Sequence, residues 1–452
     1  MGAEGGRPMR KIWRGLLAVL LVVGAVYFVC LEDGVDKNDS WAEGAQTTGA
    51  EADTKETGGT MMNYTARNHK DVKAMWLSQF DMTLLYTDGR KQRSEEDFCK
   101  LFEAMLQRIV DIGINTIIVQ VRPYADSFYS SEIYPMSKYV VGRYGGSAQY
   151  DVFARVVEMA HEKGLSVHAW INPLRGMMAE DVADVPEKFF VRGWFEDPQK
   201  KGLWLVLHSD GRVYLNPAYA EVRDTIVRGA EEILRNYHVD GLHMDDYFYP
   251  SGADEAFDRA AYENYRENGG VGTLIEFRRQ NINALVRSLY AMVKRENPSV
   301  LFGISPGGNM RTNYEQLGAD VATWCREEGY VDYICPQVYW GMEHETHDFK
   351  KICRQFDDMI ENSNVSLIIG MTVSKAKSGY DAYAGCGAWE WRENKDILYR
   401  CLRFTKTLKS CVGVSFFCYQ YFYDPLTGIS VKETQEERAL LVPELKRITW
   451  TE

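Results

Sequence analysis

Eight short apolar runs recur along this chain, and stretches of helical periodicity separate them. The runs are residues 73–79, 114–121, 165–171, 239–245, 300–305, 331–338, 365–372 and 411–418. Most lack strict polar–apolar alternation, as strands covered on both faces do. Between them, apolar residues return at helical spacing. In 95–112 they fall at Phe98, Leu101, Phe102, Met105, Leu106, Ile109 and Val110. Segments 151–163, 219–237, 273–296, 349–362 and 394–409 follow the same rule, and 433–448 reads as a closing helix. This alternation predicts an α/β fold, a (β/α)8 TIM barrel. The competing open, doubly wound sheet usually carries a Gly-rich phosphate loop after its first strand, and none is visible. The long gap between Ile171 and Val239 holds Trp194, Phe195, Trp204 and Tyr214, and reads as a loop lining the cleft.

The barrel pattern does not begin at the N-terminus. Arg7, Arg10, Lys11 and Arg14 precede an apolar run, Gly15 to Leu31, followed by Glu32 and Asp33. A basic flank stays cytoplasmic, so residues 1–31 read as a signal anchor or signal peptide, with the rest of the chain outside the cell membrane. The run shows no clear small-residue cleavage site, which favours an uncleaved anchor. Residues 32–70 are rich in Gly, Thr, Asp, Glu and Ala and read as a flexible, disordered tether. The barrel with its closing helix then spans 71–452.

A net charge of −12 argues against nucleic acid as a partner, since a basic surface is needed to displace counterions. Aromatic residues make up 13%, with 11 Trp and 27 Tyr, and rings stack on sugar faces. Of nine cysteines, eight lie beyond the anchor; an exported domain permits disulfides, whose pairing a sequence does not give. Cys335 and Cys418 sit in apolar runs and read as buried thiols. No C-x-x-C pair suggests zinc, and no cofactor is called for.

The chemistry concentrates where strands end. The fourth run breaks into Asp245-Asp246-Tyr247-Phe248-Tyr249-Pro250. Strand alternation puts Gly241, His243 and Asp245 on the interior face, with Asp245 nearest the mouth, where barrel active sites sit. Asp246 points the other way unless the strand has already ended. Other ends are also polar and aromatic: Gln79 and Asp81; Arg122, Tyr124 and Asp126; Trp170 and Asn172; Gln337, Tyr339 and Trp340. Together they make a ring-walled bowl in which amides and His243 hold hydroxyl or acetamido groups and Trp170, Tyr339 and Trp340 form a platform. Glycoside hydrolysis usually needs two carboxyl groups. Asp245 is the first, with Asp246 orienting or tuning it. Glu343, just past the sixth run, is the leading second; Asp81, Asp126 and Glu390 are others. His243-x-Asp245-Asp246 also resembles a metal site, so a metal-dependent hydrolase or deacetylase is a rival reading. A non-catalytic glycan-binding barrel is another.

Several ordered motifs resemble the glycosyl hydrolase-like 10 family, formerly domain of unknown function 187. They are Ala74-Met75-Trp76-Leu77, residues 115–123, His168-Ala169-Trp170-Ile171-Asn172-Pro173, Leu215-Asn216-Pro217, residues 239–250, Gly303-Ile304-Ser305-Pro306 and Pro336-Gln337-Val338-Tyr339-Trp340. The resemblance covers about Lys73 to Tyr423. It implies a TIM barrel in exported bacterial proteins, some acting on peptidoglycan glycan strands, including strands stripped of peptides. Retaining α-glycosidase barrels more widely place a nucleophile at the end of strand four, the position of Asp245. Many place the acid at the end of strand five, which here carries no carboxylate.

Overall fold

The computed structural model describes residues 64–451. The expected anchor and most of the expected tether lie outside the described residues. Among those described, no helix is long and apolar enough to cross a membrane. The barrel strands are β1 (Val72–Leu77), β2 (Thr116–Arg122), β3 (Ser166–Ile171), β4 (Gly241–Met244), β5 (Leu301–Ile304), β6 (Tyr333–Ile334), β7 (Ser366–Thr372) and β8 (Cys411–Phe417). They pair in parallel, each with its sequence neighbour, and β8 closes on β1. All eight fall on the expected runs, β1 and β2 each reaching one residue beyond theirs. β6 is short because Pro336 has no N–H for the ladder; its carbonyl still accepts Gly370 N–H, and Gln337 continues as isolated bridges to Gly307 and Gly370.

Outward side chains such as Ile117, Val119, Val167, Ala169, Leu242 and Met244 join the core shared with the surrounding helices. Full burial of such a side chain contributes about 1.5–3 kcal/mol. Helix Glu95–Asp111 shows the fit: Ser94 caps it, acids fill its first turn, and Phe98, Phe102, Met105, Leu106 and Ile109 are buried. Inward side chains form a second cluster in the lumen: Ala74, Trp76, Ile118, Trp170, Tyr333, Cys335, Ile368 and Cys418. Gly303 makes this packing possible, since a Cβ there would lie 2.0 Å from the Tyr333 ring. Cys335 and Cys418 are buried thiols, and the eight described cysteines are all unpaired.

Three expectations change. Residues 64–70, read as tether, pack beneath the barrel: Ala66 N–H donates to Ser299 Oγ at 2.9 Å, and Tyr64 donates to Asp240 and stacks on His238. The gap after β3 is not simply a loop. It folds into an antiparallel sheet of Arg175–Met178, Leu205–Leu207 and Arg212–Leu215, with helix Phe190–Glu196 beside it. Gln79 does not end a strand; it begins helix Gln79–Tyr86, which Ser78 and Asp81 cap reciprocally.

Candidate active site

β4 ends at Met244, so Asp245 and Asp246 leave the ladder at the C-terminal mouth. Asp245 is 3% exposed. Its Oδ2 accepts Asn172 Nδ2–H at 2.7 Å, and its Oδ1 accepts Tyr247 N–H at 3.3 Å. Asn172 is oriented in turn: its Oδ1 accepts Gln120 Nε2–H at 2.7 Å. Gln79 N–H donates to Gln120 Oε1 at 2.9 Å, and Gln79 Nε2–H to Tyr124 Oη at 2.7 Å. A polar chain therefore runs from the ends of β1 and β2 through β3 to the β4 carboxylate. Such a chain fixes which oxygen of Asp245 is held and which way its other lone pairs face.

Asp246 is partly exposed on the β5–β6 side of the mouth, hydrogen-bonded to Gln337. Gln337 also donates to Ser305 O at 3.1 Å. Because the strand has ended, Asp246 does not turn into the outer shell. Burial and the charge of Asp246 raise the Asp245 pKa, while Tyr247 N–H, Asn172 and Arg175 oppose the rise. Burial also raises the Asp246 pKa against the Gln337 bond and Arg175. The charge of Asp246 therefore disfavours ionisation of Asp245, and the two titrate as a pair.

Arg175 escaped sequence reasoning. It begins the side sheet, and its guanidinium sits 4.9 Å from the Tyr124 ring centre and 4.3 Å from that of Tyr247. Its charge acts on both aspartates. The only signal was position: it follows Asn172-Pro173-Leu174 directly. Tyr339 stacks on Phe417 with centroids 5.8 Å apart. Burial, then Cys335 and Asp246, push its phenol well above the ordinary range, so it stays neutral beside the pair. Trp340 covers Gly308 and stacks on His347 with centroids 4.8 Å apart.

Several expected site residues are employed elsewhere. Arg122 faces the outer shell, because a register shift after Gln120 turns it to lie over Tyr134, 4.4 Å from the ring centre. Asp81 is buried and takes Ser78 N–H at 2.7 Å and Gln420 N–H at 2.8 Å, clasping the ends of β1 and β8. Asp126 is buried and accepts Tyr124 N–H at 2.9 Å. His243 is a lumen residue: Trp76 Nε1–H donates to its Nε2 at 3.3 Å, and Tyr333 Oη lies 2.8 Å from its Nδ1. With Nε2 accepting, neutral His243 carries its proton on Nδ1 and donates to Tyr333, which donates to His168 Nδ1 at 2.9 Å. Both its nitrogens are taken, so the His243-x-Asp245-Asp246 pattern does not converge as metal ligands. Trp170 is 5% exposed within the lumen cluster, one layer below Asn172, and forms floor rather than platform. Glu343 is exposed. Buried Glu390 instead holds that loop, accepting Met342 N–H at 2.8 Å and Glu343 N–H at 2.9 Å.

The profile of the glycosyl hydrolase-like 10 family matches residues 71–383. The chain belongs to the glycosyl hydrolase-like 10 family. It is 32% identical over 336 residues to the glycosyl hydrolase YngK of Bacillus subtilis (strain 168), covering 70% of this chain and 63% of YngK. It is 29% identical over 361 residues to the glycosyl hydrolase DigH of Escherichia coli O6:H1, covering 73% of this chain and 77% of DigH. The chain thus spans less than two thirds of YngK. Among solved structures, the catalytic domain of a Paenibacillus polymyxa β-amylase superposes with a TM-score of 0.50 at 10% identity, over 83% of this chain and 99% of that one. That likeness concerns the barrel fold alone.

Proposed function

We propose that this glycosyl hydrolase-like 10 protein hydrolyses glycosidic bonds in extracytoplasmic cell-wall glycan, namely peptidoglycan strands, with Asp245 as its key carboxylate. One observation carries the reading. Buried Asp245 stands beside partly exposed Asp246 at the end of β4, and a side-chain relay from three neighbouring strands orients it. A pair that shares a proton supplies an acid and a base at once. Gln337, Tyr247, Tyr339 and Trp340 supply polar and ring surfaces around it. Residues 1–31 would anchor the protein to the cell membrane, with the barrel outside, where such a glycan lies.

The test is incubation of the purified protein with purified glycan strands, products being read by mass spectrometry. New reducing ends support the proposal. Binding without new reducing or anhydro ends favours the silent glycan-binding barrel, a reading supported by the lack of a carboxylate at the end of β5. Chelator treatment separates a metal-dependent hydrolase or deacetylase, since a carboxylate glycosidase is indifferent to it. Protease accessibility in intact and permeabilised cells tests the location.

A further inference from the structure

The carboxyl groups around the mouth are unequal. Asp81, Asp126 and Glu390 each spend oxygens on backbone N–H groups, and Glu343 is exposed. That leaves Asp245 and Asp246, consecutive in the chain, with α-carbons about 3.8 Å apart. Two-carboxylate mechanisms set their groups on opposite sides of the sugar, about 5–5.5 Å apart for retention and about 6.5–9.5 Å for inversion. Consecutive residues leaving one strand end both reach a sugar from the β4 rim of the mouth, rather than from opposing rims. Both Asp245 oxygens, moreover, already accept hydrogen bonds, from Asn172 and Tyr247. A carboxylate so held is a poorer nucleophile, yet a well-aimed acceptor for one more N–H, since it offers about four lone-pair positions. Asp246, held from the β6 side by Gln337, is the more exposed of the two and so the one that a leaving oxygen can meet.

We propose that the sugar cleaved at this site carries a 2-acetamido group, whose carbonyl oxygen is the nucleophile, with Asp245 accepting the amide N–H and Asp246 protonating the leaving oxygen. The inference rests on the glycosidase reading above and specifies its substrate and mechanism. The amide N–H bonding to Asp245 favours its ionised form, so the proton that the pair holds passes to Asp246; in the first step Asp246 gives it to the glycosidic oxygen and the C1–O bond breaks. The acetamido oxygen bonds to C1, and Asp245 takes the amide proton, leaving a neutral oxazoline. In the second step Asp246 takes a proton from water, whose oxygen bonds to C1 as the C1–O bond of the oxazoline breaks. Asp245 returns its proton to nitrogen. One water is consumed, both carboxyl groups are restored, and two inversions at C1 give retention. Asn172 and Gln120 are positioning residues here, because they aim Asp245.

The test uses the unmodified protein and changes only the substrate. Glycan strands are de-N-acetylated, then portions are re-acylated with acetic or trifluoroacetic anhydride. Fluorine withdraws electrons from the carbonyl and weakens it as a nucleophile. The expected result is cleavage of re-acetylated strands and a rate at least about 100-fold lower for trifluoroacetylated and free-amine strands, as for loss of an intramolecular nucleophile. Comparable rates on all three, or mass-spectrometric capture of a glycosyl ester on Asp245, would overturn this inference and leave the glycosidase reading standing. Cleavage of none would overturn both. A fourth measurement is independent of turnover rate: proton NMR of the first product should show retained anomeric configuration, and inversion counts against the inference.

Discussion

Asn172→Ala removes the relay at its last link, and the size of the effect follows from the geometry. The Asn172 amide donates to the buried Asp245 carboxyl at 2.7 Å, a hydrogen bond to a charged group once Asp245 ionises. Such bonds contribute about 1.5–3 kcal/mol. The bond favours the ionised form, so its loss raises the Asp245 pKa; at about 1.36 kcal/mol per pH unit, the rise is about 1–2 units. The sign is opposite to that of deleting Asp246, whose charge holds the pKa up. For a step needing ionised Asp245, the acid limb of kcat/KM moves to higher pH by the same amount. Turnover near neutrality falls about 10–100-fold, each 1.4 kcal/mol being about tenfold. The assay is reducing-end release from glycan strands across pH 4–9, with circular dichroism showing that the barrel is folded. Gln120→Ala, one link further back, shifts the limb in the same direction by less. A folded Asn172→Ala protein whose acid limb has not moved refutes the relay.

Other consequences follow from the same contacts. A carboxyl whose folded pKa is raised keeps its full stability below the unfolded pKa and loses it as pH rises through the folded one. Asp245→Asn should therefore raise Tm over wild type at pH 9 and change it little at pH 4, as differential scanning calorimetry would show; equal shifts at both pH values would contradict the assigned cause. Glu343→Gln should leave kcat/KM within about threefold, because nothing packs that exposed carboxyl toward the pair; a loss of 100-fold or more, typical for an acid–base group, would restore it to the mechanism. Arg278 makes a buried ion pair with Asp258 at 2.7 Å and donates to Asp254 O at 2.6 Å and Ala253 O at 3.1 Å, fixing the loop after β4. Arg278→Ala should cost about 3–5 kcal/mol in urea unfolding by stranding the buried Asp258 charge. Tyr333→Phe deprives His168 and His243 of the hydroxyl between them and should cost about 1–3 kcal/mol.

The barrel was legible because each strand is an apolar run bounded by breakers, and each major helix keeps a 3.6-residue stripe. Asp245 was legible for the same reason: period-2 alternation on β4 carries Gly241 and His243 inward and Asp245 to the mouth. Depth was not legible. Alternation places His243 and Trp170 on the inner face but does not say that packed lumen, rather than open bowl, surrounds them. Nor does it register the irregularity after Gln120, which turns Arg122 outward. The Ser78-x-x-Asp81 capping signature was present, and reading it would have shown Asp81 to be a helix cap. Arg175 has no comparable signal, since its contacts with Tyr124 and Tyr247 form only once the side sheet folds.

Turnover of Asp245→Asn on purified glycan strands tests the account most directly. New reducing ends should appear at least about 100-fold more slowly than with wild type while strand binding survives, in line with acid–base groups elsewhere. Turnover close to wild type would remove Asp245 from the chemistry.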